Sequence, residues 1–147
     1  QHRPRAVAQV NFYNLQQDSE QARAVFACRL AEKASSLGHS VCLLTENETA
    51  ARAIDSLLWS FAPSSFVPHA LLVGTEPCAE RVSIAVATMP EWARDVLINL
   101  CPTAVEGFEP VARVNEIIIQ EPSALQQARE RFRHYQQAGT RPEMIAL

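Results

Sequence analysis

The sequence predicts a single three-layer α/β domain on a mainly parallel sheet, and three observations carry that prediction. Short apolar runs of the kind shown by buried parallel strands alternate with segments of helical periodicity. At 147 residues, 48% hydrophobic and 20% charged, the chain has the size and composition of one globular domain. No internal repeat, low-complexity tract or apolar run near the ~20 residues of a membrane span interrupts the alternation. The domain is placed at 6–147, with Gln1 to Arg5 set aside as a disordered or trimmed start.

Val7 to Leu15 alternates loosely through Val10, Phe12, Tyr13 and Leu15 and is read as the first strand. Asp18 or Ser19 caps the following helix, and Glu20 suits its positive first turn. Phe26, Leu30, Ala34 and Leu37 then hold helical spacing until Gly38 supplies a left-handed stop. Ser40 to Thr45 reads as a buried strand, and Thr45 to Asn47 leads into a second helix through Ile54, Leu57, Leu58 and Phe61. From Leu57 to Ala70 the chain places Trp59, Phe61 and Phe66 close together, around Pro63 and Pro68, which cannot donate to a ladder. This is a shaped loop that either folds back into the core or offers a hydrophobic surface. Arg81 to Ala87 reads as an exposed-edge strand, Asp95 to Leu100 as a central strand and Arg113 to Ile119 as another. Pro122 or Ser123 opens a last helix that runs to about Ala138, with Gly139 as its stop.

Several chemistries are excluded at this level. The turn after the first strand, Asn14 to Glu20, has no glycine and carries two acids, and Gly38, Gly74, Gly107 and Gly139 are too scattered for a phosphate loop. No nucleophile elbow or Cys–His signature occurs. His39 sits in a helix-to-strand turn, His69 suits a turn or interface better than a base, and His134 sits among arginines on a helix face. The acids Glu46 and Glu48, like Asp18 and Glu20, fall at helix starts, where the dipole explains them. Cys28, Cys42, Cys78 and Cys101 lie far apart with no C-x-x-C, which suits free thiols in a reducing cytoplasm rather than disulfides or zinc. Nothing near the start has the apolar core of a secretory signal, so a cytoplasmic location is expected. No catalytic residue, cofactor or metal is expected.

A net charge of −3 argues against a broad nucleic-acid surface, so any basic site is local. The last helix supplies one, with Arg129, Arg131 and Arg133 beside Phe132, His134 and Tyr135. Helical spacing places Leu125, Arg129, Phe132, Arg133 and Gln136 on one side, while Ala128, Phe132 and Tyr135 can turn inward. Guanidinium groups beside an aromatic ring fit an acidic ligand with an apolar end, unless the helix face is simply solvated.

The order of these pieces resembles the chi subunit of bacterial DNA polymerase III holoenzyme. The resemblance runs from Phe12-Tyr13 through residues 27–34, 38–41 and Leu57-Leu58-Trp59 to Ser65-Phe66-Val67-Pro68-His69. It continues through residues 95–100 and 129–135, and the Leu-Trp followed by Ser-Phe-Val-Pro-His is its most specific part. It implies a Rossmann-like domain without nucleotide chemistry, acting as a non-catalytic accessory subunit of the clamp-loader complex. Two partners are implied and neither is nucleic acid or membrane. The psi subunit would meet Trp59, Phe66, Val67, Pro68 and His69. The acidic, phenylalanine-ended tail of single-stranded-DNA-binding protein would meet Ile118, Arg129, Phe132 and Arg133. Phe132 stands where several family members have tyrosine, and Leu125 where some have lysine, which shifts the expected weight onto Arg129 and Arg133. The alternatives are a small α/β enzyme using His69 or His134, and a direct single-stranded nucleic-acid binder. The first would need converging polar groups, the second basic residues interleaved with stacking aromatics.

Overall fold

The computed structural model describes residues 8–61, 68–71 and 80–147. In chain order they form β1 (Gln9–Asn14), α1 (Glu20–Ser36), β2 (Val41–Thr45), α2 (Glu48–Ser60), β3 (His69–Leu71), β4 (Val82–Val86), β5 (Val96–Asn99), β6 (Arg113–Ile118), α3 (Pro122–Gln137) and β7 (Glu143–Ala146). The strands lie in the order β3-β4-β2-β5-β6-β1-β7, and every pairing is parallel.

Both faces of the sheet are covered, which is why β2 and β5 are buried at every position. Alternation sorts the side chains of β2, β5 and β6: Val41, Leu43, Ile98 and Ile117 pack under α1 and α2, while Cys42, Leu44, Leu97 and Val114 pack under α3 and the 101–111 segment. The result is the three-layer α/β architecture expected from the alternation of patterns.

Local chemistry sets the helix ends. The Ser19 hydroxyl accepts from the Ala22 amide, and the Asn47 side chain accepts from Ala50. At the end of α1, Gly38 sits at φ 94°, and His39 N–H bonds to Ala34 C=O while Gly38 N–H bonds to Ser35 C=O. That double closure is a Schellman motif and needs a residue at ease with positive φ. At α3 the cap is Glu121, ahead of Pro122; its carboxylate accepts from the Ser123 and Ala124 amides, which hold it below the usual carboxylate range.

Two strand expectations change. The strand at 81–87 is not an exposed edge: β4 lies between β3 and β2, with Val82 to Ala85 buried. Its polar-looking alternation comes from Ser83, which is buried with its hydroxyl directed at the Val41 carbonyl. The edge is β3, which starts directly after Pro68, where a missing N–H does not interrupt a ladder. At the other edge, β7 is a strand that the sequence pattern did not indicate.

Cys28 and Cys101 are buried free thiols and Cys42 is a buried cysteine, while Cys78 lies outside the described residues. Burial pushes Cys28 from 9.0 to about 12, and Cys101 to about 11 with help from Glu116 and Glu46. A folded pKa above the unfolded one gives Cys28 a stabilising contribution that is whole below pH 9.0 and is lost between 9.0 and about 12. In a Cys78→Ser variant, no thiol is expected to react promptly with Ellman's reagent at pH 8 until urea unfolds the chain. Prompt reaction of the native variant would contradict this burial.

Candidate functional site

α3 presents two chemically different sides. Ala128 and Tyr135 are buried against the sheet and Phe132 is half-buried, while Arg129 and Arg133 stand exposed one turn apart. Between that exposed side and the carboxyl ends of β1 and β6 lies a cavity of about 470 Å³. Adjacent β1 and β6 hand the chain to helices on opposite faces here, the place where open α/β sheets leave a crevice. Ile118, Leu125, Phe132 and Met144 make the cavity apolar, Arg129 and Arg133 line it with cations, and Asn14 and Gln120 form a polar end. The structure therefore gathers Ile118, Arg129, Phe132 and Arg133 into one cavity.

The cavity is held from below. The Phe132 ring rests on Phe12 at 5.1 Å, and Phe12 in turn meets Tyr135 at 6.0 Å. The Gln120 amide donates to Asn14 Oδ1 at 2.7 Å and to the Leu15 carbonyl at 2.8 Å. Among the described residues, neither Arg129 nor Arg133 has an ion pair or a side-chain hydrogen bond, and no carboxylate lines the cavity. Two uncommitted guanidinium groups above an apolar floor can receive an anionic group that carries a hydrophobic one. No cluster of three or more His, Cys, Asp or Glu side chains suited to a metal occurs among the described residues.

Arg131 does not belong to this basic face. It lies two positions from each neighbouring arginine, which turns it to the opposite side of the helix, and it is buried. Its Nε donates to Glu116 Oε1 at 2.9 Å and its Nη1 to the Pro102 carbonyl at 3.1 Å. Glu116 is fully buried in β6, and its Oε2 also accepts from Asn99 Nδ2 at 2.8 Å and Tyr135 OH at 2.6 Å. The Tyr135 hydroxyl accepts in turn from the Val105 amide at 3.1 Å. Burial pushes the Glu116 carboxyl above its usual range, against the pull of Arg131, Tyr135 and Asn99. Glu116 escaped the sequence reading, although a carboxylate inside the apolar run Val114 to Ile119 requires a buried cation somewhere.

The aromatic patch lies at the opposite edge of the sheet. Trp59, near the end of α2, is 56% exposed, and its ring meets that of His69 edge-on at 5.0 Å. The His69 side chain is 1% exposed, with Nε2 2.8 Å from Asp55 Oδ1, so it props Trp59 rather than facing a substrate. Pro68 is exposed beside it. Phe66 and Val67 lie outside the described residues.

A family model matches this chain over nearly its whole length: that of the DNA polymerase III chi subunit, HolC, across residues 7–143. The chain belongs to the DNA polymerase III chi subunit family. It is 38% identical over 134 residues to the DNA polymerase III subunit chi of Pseudomonas aeruginosa, covering 90% of this chain and 92% of that protein. The subunit of the same name from Escherichia coli is 31% identical over 113 residues, 76% of this chain and 77% of that protein. The one from Haemophilus influenzae is 27% identical over 129 residues, 87% and 90% of the two chains. The chi-family match takes in the Trp59 patch and every residue lining the α3 cavity except Met144. No helix among the described residues is long and apolar enough to cross a membrane.

Proposed function

We propose that this chi-family chain is a non-catalytic bridge within the DNA polymerase III clamp-loader complex. It holds the psi subunit on the patch around Trp59, Phe66, Val67, Pro68 and His69. It takes the acidic, phenylalanine-ended tail of single-stranded-DNA-binding protein in the α3 cavity. The observation that carries the reading is the cavity itself: uncommitted Arg129 and Arg133 match the tail's carboxylates, and the floor built on Phe132 matches its terminal ring. Positions at opposite sheet edges suit a bridge, because two partners then need not compete for space.

Calorimetric titration of the full chain with an acidic peptide ending in phenylalanine tests this reading. Binding is expected for that peptide and not for the same peptide without its last residue. Arg129→Ala is expected to weaken it by about 1.5–3 kcal/mol, roughly a ten- to hundredfold rise in Kd. Trp59→Ala is expected to leave the titration unchanged while reducing capture of psi. Equal binding of both peptides, or an indifferent Arg129→Ala variant, would remove the tail from this cavity.

A further inference from the structure

The α3 cavity and the Trp59 patch leave unexplained a groove of about 360 Å³ on the opposite face of the sheet, beside α1. Phe26, Leu30, Lys33 and Leu37 follow helical spacing along α1 and line it, with Arg29 adjoining. Tyr13 of β1 and Val96 of β5 complete an apolar floor, where the Tyr13 ring rests on Phe26 at 5.4 Å. Arg113 of β6 adds a third cation. Leu37 and Leu147, which also line the groove, are two of the four large hydrophobic side chains exposed among the described residues, at 68% and 56%.

The electrostatics point one way. Arg29, Lys33 and Arg113 have no ion pair and no side-chain hydrogen bond to a described residue. Asp95, which precedes Val96 of the groove floor, is engaged by His39 at 3.2 Å and by the Ser40 amide at 2.9 Å. Three uncommitted cations in a chain of net charge −3 form a local positive rim around exposed apolar surface. A nucleic-acid strand would want free aromatic faces for stacking, whereas Tyr13 and Phe26 pack on each other above an aliphatic floor. We propose that this groove docks an acidic peptide segment bearing leucine-like side chains, contributed by a partner protein and independent of the α3 cavity.

The test is an NMR titration of the ¹⁵N-labelled full chain carrying Arg129→Ala and Arg133→Ala, which silences the α3 cavity. The probe is the acetylated, amidated hexapeptide Asp-Leu-Asp-Glu-Leu-Glu, which has no free terminal carboxylate and no phenylalanine. Saturable shifts are expected at the amides of residues 26–37 and 113–115. Adding Arg29→Ala and Arg113→Ala is expected to raise Kd by about fivefold or more, with the remaining spectrum preserved as proof of fold. Shifts confined to α3, or none at millimolar peptide, would overturn the proposal. So would a short oligothymidylate that moves the same resonances at lower concentration, since that would make the groove a nucleic-acid site.

Discussion

Glu116→Ala is expected to lower folding stability by about 3–5 kcal/mol, measured by urea denaturation, because it leaves the buried Arg131 guanidinium without its counter-charge. The loss reaches further than one ion pair, since Asn99 and Tyr135 also direct donors at the same carboxylate. A double variant, Glu116→Leu with Arg131→Met, is expected to recover much of the loss, because it removes both charges instead of stranding one. If Glu116→Ala alone were as stable as the parent, the buried network would not be what seats α3. Tyr135→Phe tests the same network mildly: it removes the hydroxyl that joins Glu116 to the Val105 amide, at a cost of about 1–3 kcal/mol.

The second large effect is expected at Phe12. Its ring is fully buried in β1 and touches both Phe132 and Tyr135, so Phe12→Ala opens a void under α3 and costs about 3–5 kcal/mol. Phe12→Leu keeps most of the volume and is expected to lose well under half of that. Thermal or urea unfolding gives the first number. Titration of the folded variant with the tail peptide gives a second readout, because Phe132 loses the ring that supports it. A Phe12→Ala chain that unfolds like the parent would show that the core above β1 can collapse without it.

Features decided within a few residues were legible in the sequence. Ser19 and Gly38 end α1 through bonds to their immediate neighbours, so sequence alone locates them. Features decided by distant partners were not. The interior position of β4 depends on β3 arriving beside it, and nothing within Arg81 to Ala87 encodes that arrival. The exposed strand β7 has too little apolar pattern to declare itself. Helical spacing put Arg129 and Arg133 on one side of the last helix, where both line the cavity, but it did not show that Arg131 turns inward to Glu116, fifteen residues away. The contact between Trp59 of α2 and His69 of β3 is likewise beyond the reach of periodicity.

The strand order also bears on how the chain acquires its shape as it is made. β1 is the earliest of the described strands, yet both of its neighbours, β6 and β7, come from residues 113–146; Asn11 meets Asn115 across 104 residues. The β3-β4-β2-β5 half, by contrast, draws on residues 41–99 and can pair before α3 exists. The half of the sheet carrying Trp59 is therefore built from nearer pairings, whereas the pairing of β1 is a non-local closure of the slow kind. Seating β6 and β7 closes the sheet around β1, so the ladder of β1 is whole only once residues 113–146 are in place.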